Sequence, residues 1–69
     1  EWFNMALAEY RKAAVVSPSC ARAFEGLGVV YVRNGRYDLA RRALEKAISL
    51  DPASRGARGS LARLEGMGY

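Results

Sequence analysis

Arginine is the residue type with the most chemistry to offer in this chain. Nine of the eleven basic residues are Arg. Arg22 and Arg33 are eleven residues apart, about three turns of a helix, so on a helix they share one side. Val29 lies between them. A planar guanidinium can make two parallel hydrogen bonds to a carboxylate. Two such forks flanking an apolar anchor suit a short peptide, extended or helical, that carries one or two carboxylates.

Other chemistry is thin. There is no His, no CxxC pair and a single cysteine, Cys20, so neither an internal disulfide nor the usual zinc arrangements can be built. The Ser–His and Cys–His pairs of nucleophilic catalysis are excluded for the same reason. A small, buried Cys20 near a helix start is the expectation. Seven carboxylates are present. Five fall on expected helix surfaces near Arg or Lys, leaving Glu25 and Glu65 to consider. Paired-carboxylate catalysis needs two held across a pocket, one with a raised pKa. The reading is therefore not an enzyme, with no metal and no cofactor.

The elements that must position these arginines follow from spacing. Phe24, Leu27, Gly28 and Tyr31 fall at i, i+3, i+4 and i+7, one face of a helix. Asn34-Gly35 breaks the pattern, and Tyr37, Ala40, Leu44, Ala47 and Ile48 form a second helical face that Asp51-Pro52 ends. Upstream, Phe3, Ala6, Leu7, Tyr10, Ala13 and Ala14 share a face, and Ser17-Pro18-Ser19 closes that helix, because Pro disfavours helix at the preceding residue. Ser19 and Ser54 are expected N-caps. Ala57, Leu61 and Leu64 continue the period at the far end, although Gly56, Gly59 and Gly66 weaken it.

Four antiparallel helices are thus expected near 2–16, 20–33, 37–50 and 54–67, with no strand. The expected core is Phe3, Ala6, Tyr10, Ala13, Phe24, Leu27, Gly28, Tyr31, Tyr37, Ala40, Leu44, Ala47 and Leu61. Asp38–Arg42 and Arg41–Glu45 sit at i, i+4 and are expected to pair. Trp2 and Met5 point to another side of the first helix than its core face. Together with Phe3 they are the expected interface residues at an open N-terminal end.

The hairpin 21–52 resembles one tetratricopeptide repeat. That family repeats every ~34 residues with a large aromatic, Leu-Gly and Tyr in its first helix, then Ala, a large apolar residue and a closing Pro. Here these are Phe24, Leu27-Gly28, Tyr31, Ala40, Leu44, Ala47 and Pro52, departing only in Phe24 for Trp and Leu44 for Phe. The chain also resembles itself at a shift of 34: Phe3 lands on Tyr37, Ala6 on Ala40, Tyr10 on Leu44, Ala13 on Ala47 and Pro18 on Pro52. Ala23 lands on Ala57, Leu27 on Leu61 and Gly28 on Ala62.

The resemblance implies an all-α fold, a short right-handed solenoid of stacked helix-turn-helix hairpins. It divides 1–69, a single module, into the second helix of one repeat (1–18), a complete repeat (21–54) and the first helix of a following repeat or a capping helix (55–67). About two repeats lie below the usual minimum of ~3, so an excised piece of a longer array, or a small associating module, is expected. The resemblance also gives Gly28 a reason, close approach of the neighbouring helix. Gly26 lies on the other face, where it could floor a groove.

In this family the first helices of successive hairpins line a concave groove. The resemblance thereby places Arg22, Glu25, Gly26, Val29 and Arg33 on the groove side of helix 20–33, and Arg63 on the matching side of the last helix. Arg22, Glu25, Val29, Arg33 and Arg63 are the candidate peptide-binding residues. An ordinary i, i+3 surface pair between Arg22 and Glu25 stays open beside that reading. One subset of the family clamps the C-terminal carboxylate of chaperones with Lys and Asn, and Glu25 and Val29 stand at those sites, so that clamp is not met.

The function implied is a non-catalytic protein–protein interaction scaffold. It would bind a peptide or partner domain, acidic in part, through the concave face, the open N-terminal end, or both. Weak self-association through that end is also expected. Net charge is +4 and the pI near 9.7, which favours anionic partners in general. The alternative is an RNA-binding repeat of pentatricopeptide type, in which each hairpin reads a base. The 34-residue spacing of Pro18 and Pro52 argues against that longer-period relative, so nucleic acid is not the expected partner. No run of 18 apolar residues exists, so no membrane span is expected, and the compartment stays open. Gel shifts with mixed-sequence RNA separate the two readings: the scaffold reading expects no complex at physiological salt, and a complex that survives there favours the alternative.

Overall fold

A computed structural model describes residues 2–17 and 19–68, the side chain of Phe3 excepted. The expectations for Phe3 as core and interface, and for Pro18 as helix breaker, fall outside what is described. Four helices follow in order: α1 (Trp2–Val16), α2 (Ala21–Arg33), α3 (Tyr37–Leu50) and α4 (Arg55–Gly66). They hold 82% of the described residues, with no strand among them. The expected all-α fold of helix-turn-helix hairpins is what the chain adopts.

Each boundary has a local cause. After α2, Gly35 takes the left-handed conformation at φ 76°. The Arg36 N–H then donates to the Tyr31 carbonyl at 2.9 Å, and the Gly35 N–H to the Val32 carbonyl at 3.1 Å. This is the paired closure that satisfies carbonyls left over at a helix end, and it needs a residue without a Cβ penalty. Beyond α3, the Asp51 carboxylate accepts from the Ala53 N–H at 3.2 Å, a side-chain turn that competes with further helix. Ser54 caps α4 as expected, its hydroxyl accepting from the Ala57 N–H at 3.4 Å.

Ser19 does not cap α2. The extended residue before that helix is Cys20, which makes no side-chain cap hydrogen bond. Helical backbone begins only at Ala21, so Ser19 stands one position too early for its hydroxyl to meet the free N–H groups. Cys20 itself is half-buried rather than buried. Of the two i, i+4 pairs, Arg41–Glu45 forms at 3.2 Å. No bridge joins Asp38 to Arg42 among the described residues.

The core lies between α2, α3 and α4. Ala40, Leu44 and Ala47 of α3 and Ala57 and Leu64 of α4 are fully enclosed, with Phe24, Tyr31, Val32, Tyr37, Ile48 and Leu61 packed around them. Leu27 and Gly28 are buried as expected. Ala23, Val30, Ala43, Ala57 and Leu64 are buried although the expected core left them out. Ala57 and Leu64 share the face of α4 that carries Leu61 and belong to the same enclosed cluster, while Ala23, Val30 and Ala43 lie off the single face expected for α2 and α3.

The expected core fails in α1. Ala6 is only half-buried, Tyr10 is 39% exposed and Ala13 is exposed. Among the described residues α1 touches α2 and no other helix. With one neighbour it buries one narrow stripe. Two glycines of α2 divide its neighbours, because residues two apart point about 200° apart on a helix. Gly28 faces α3: a Cβ there would stand 2.5 Å from Leu44 Cδ2 and 3.5 Å from the Ala40 carbonyl oxygen. Gly26 faces α1, where a Cβ would overlap the Tyr10 ring.

The two sites predict opposite outcomes. Gly28→Leu should abolish cooperative melting, because Leu44 is fully buried and cannot yield. Overpacking by even a methylene or two costs about 1–3 kcal/mol. Gly26→Ala should stay within about 1 kcal/mol of the parent, because Tyr10 can turn outward and Ala favours helix by a comparable amount. Thermal melts followed by circular dichroism check both, and an intact cooperative melt of Gly28→Leu contradicts the close-approach account.

Candidate peptide-binding groove

Residues about equally far from the turn at 17–20 meet across α1 and α2, because that turn folds the two helices antiparallel. Tyr10 therefore comes to Gly26, and Trp2 comes to Arg33. The Arg33 guanidinium carbon sits 5.7 Å from the centre of the Trp2 ring, within cation–π range. A groove of about 560 Å³ lies between the two helices. Trp2 and Tyr10 line it from α1, and Arg22, Glu25, Gly26, Val29 and Arg33 from α2. The structure thus brings Arg22, Glu25, Val29 and Arg33 together, as their spacing required.

Arg63 stands apart from that groove. It lines a second hollow of about 320 Å³ between α2 and α4, with Val29, Val32, Arg33, Ser60 and Met67. Val29 and Arg33 border both hollows. They form the ridge at which the two meet, and Arg63 joins the set only across that ridge.

Glu25 is aimed elsewhere than expected. Its carboxylate accepts from the Ser54 hydroxyl at 3.1 Å. It also lies against Gly56, where a Cβ would overlap Glu25 Oε2. A negative charge at the first turn of α4 meets the unsatisfied N–H groups and positive dipole end of that helix. Ser54 serves both partners, donating to Glu25 and accepting from Ala57. Gly56, which sequence reading takes as a weakness of α4, leaves room for the carboxylate. No bridge joins Arg22 to Glu25 among the described residues, and Glu25 lines the groove beside Arg22 and Arg33 while it bonds to Ser54.

Of the expected interface residues, Trp2 is 58% and Met5 68% exposed. Trp2 belongs to the groove wall as well as to the open end, so the two expected binding surfaces are one continuous surface at that point. Tyr10 is the wall residue that sequence reading assigned to the core instead. Its signal was available: counting equal distances from the turn pairs it with Gly26. No helix among the described residues is long and apolar enough to cross a membrane.

Comparison with known proteins bears on this geometry. A family model described as tetratricopeptide repeat matches residues 3–55 and 30–65. Over 50 residues the chain is 40% identical to Superkiller protein 3 of Schizosaccharomyces pombe, a stretch that covers 72% of this chain and 4% of that protein. The chain therefore spans a small fraction of the length of this relative.

The double role of Ser54 is measurable. Ser54→Ala removes the α4 cap and the partner of Glu25 together and should cost about 1–2 kcal/mol. Glu25→Gln, which keeps an acceptor for Ser54 but loses the charge, should cost less. Urea midpoints rank the two variants. A Ser54→Ala midpoint equal to that of the parent protein contradicts the assigned role.

Proposed function

Since the chain belongs to the tetratricopeptide repeat family, whose repeats are generally non-catalytic scaffolds for protein interaction, we propose that it binds a short peptide segment or partner domain through its cationic groove. Arg22 and Arg33 receive carboxylates, Val29 receives an apolar anchor, and Arg63 extends the cationic surface beyond the ridge. Glu25 also lines the groove, with its carboxylate held by the Ser54 hydroxyl, so an acidic partner is received at Arg22 and Arg33 rather than beside Glu25.

The observation that supports this reading is Arg33, within cation–π range of Trp2 at the boundary of two hollows. A guanidinium that rests near a ring keeps donors free for a carboxylate and loses less side-chain freedom on binding. The exposed Trp2 and Met5 extend the contact surface to the open end of the helix. A groove this short buries little area, so affinity is on the order of micromolar or weaker.

An array of short synthetic peptides tests the proposal. The parent protein should prefer peptides that combine one apolar residue with carboxylates. The double variant Arg22→Glu/Arg33→Glu should lose those peptides and gain basic ones, with its helical signal unchanged. A preference that the charge reversal leaves untouched places the binding surface elsewhere.

A further inference from the structure

The hollow of about 320 Å³ between α2 and α4 is made differently from the groove against α1. Its two walls are helices that touch one another and are tied by the hydrogen bond that Ser54 donates to Glu25. Val29, Val32 and Arg33 line it from α2, and Ser60, Arg63 and Met67 from α4 and its cap. Two guanidinium groups and a hydroxyl therefore border one space, and the rest of the lining is apolar. No carboxylate shares that space. Each helix carries one acidic side chain, Glu25 in α2 and Glu65 in α4. Glu25 is held at the N-terminus of α4, whereas Arg63 stands in the last turn of that helix. Glu65 meets Arg41 of α3 at 3.7 Å. Among the described residues no carboxylate bridges Arg33 or Arg63.

Counting donors against acceptors narrows the guest. One guanidinium fork takes both oxygens of a carboxylate. A second guanidinium bordering the same hollow then has no oxygen left to bind. A phosphate monoester offers three terminal oxygens and a charge of about −1.5 to −2 at neutral pH. It can accept from two arginines and from a serine hydroxyl at the same time. The uncompensated charge of the hollow, two cations with no acid, matches that dianion and exceeds a single carboxylate.

We propose that the hollow between α2 and α4 receives the phosphate of a phosphorylated side chain in the partner peptide. Arg33, Arg63 and Ser60 hold the phosphate, and Val29, Val32 and Met67 receive the apolar residues beside it. This rests on the peptide-binding reading of the cationic surface and adds the modification state to which that surface responds. Arg33 borders both hollows, so the anion it receives is the phosphate, and Arg22 is left to a carboxylate further along the same peptide.

The same lining selects a peptide over a nucleic-acid strand. A strand presents a phosphate at every nucleotide and is held by a track of basic side chains, with aromatic rings under its bases. No aromatic ring lines this hollow, and Arg63 is the one cation that α4 brings to it. Across the 34-residue shift Arg22 corresponds to Gly56 and Arg33 to Met67, so the basic positions of α2 are not repeated as a track on α4.

The probe is an array of short synthetic peptides with varied apolar flanks, each made with serine, glutamate or phosphoserine at its centre. The strongest binders are titrated by fluorescence polarisation at physiological salt. The phosphoserine form should bind about tenfold or more tighter than the serine form, and the glutamate form should recover only a small part of that gain. Arg63→Gln and Arg33→Gln should each bring the phosphoserine form close to the serine form. Both side chains are exposed, so the helical circular dichroism should not change. Ser60→Ala should lower the ratio by a smaller step. Arg58→Gln removes a charge from α4 outside the hollow and should leave the ratio as in the parent.

Four results would overturn the proposal. Equal binding of the serine and phosphoserine forms removes the phosphate site and leaves the peptide-binding reading standing. Binding of no form removes both. A preference for phosphoserine that survives Arg63→Gln, or that falls as far in Arg58→Gln, means that net charge and not this hollow attracts the phosphate. Displacement of the phosphopeptide by mixed-sequence RNA at equal phosphate concentration makes a nucleic acid the occupant.

Discussion

The close approach of α2 and α3 at Gly28 is the constraint on which the rest of the molecule depends. With no side chain at that position, Leu44 reaches the α2 backbone, and a Cβ there would sit 2.5 Å from its terminal methyl. The two helices can then enclose Ala40, Leu44 and Ala47 completely. Small residues at facing positions bring the axes together, and large ones fill the remaining space, which is how a short chain reaches interior packing density. A chain of this size has little other core to draw upon. The loss of this one contact is therefore felt through the whole stack.

A second tie runs from α2 to α4 through Ser54. It is polar and it is directional. The Ser54 hydroxyl joins the Glu25 carboxylate to the first turn of α4, and Gly56 makes the space for it. This arrangement fixes the carboxylate of Glu25, which lines the groove, towards α4. Stability and electrostatics meet in the same residue: the carboxylate that steadies α4 also lines the groove beside Arg22 and Arg33. Arg41 adds to the α3–α4 junction, reaching Glu65 at 3.7 Å while pairing with Glu45, but both carboxylates are solvent-exposed and such pairs contribute little.

The two halves of the chain are alike in pattern and unlike in burial. Repeat units contact only their neighbours, and among the described residues α1 has one neighbour where α3 has two. The same kind of sequence face is consequently interior in α3 and surface in α1. The apolar surface left on α1 is continuous with the cationic groove through Trp2. Apolar surface and a guanidinium within cation–π range of a ring thus lie side by side there.

Much of this was legible in the residues. The helix boundaries follow from the period of Phe24, Leu27, Gly28 and Tyr31 and its counterpart in α3, from Asn34-Gly35, and from Asp51-Pro52, because these signals act within a turn or two of chain. The grouping of Arg22, Val29 and Arg33 on one side of α2 was also determined, since helix geometry alone sets it. Tertiary structure decided what local rules cannot reach. Tyr10 and Ala13 stay at the surface because burial depends on how many helices arrive, not on the pattern that invites them. Glu25 turns to Ser54 rather than to Arg22 because a helix N-terminus from 29 residues away offers it a hydrogen bond and a favourable dipole. Trp2 meets Arg33 because the turn at 17–20 sets the register of an antiparallel pair, and that register is a property of two helices together, not of either one.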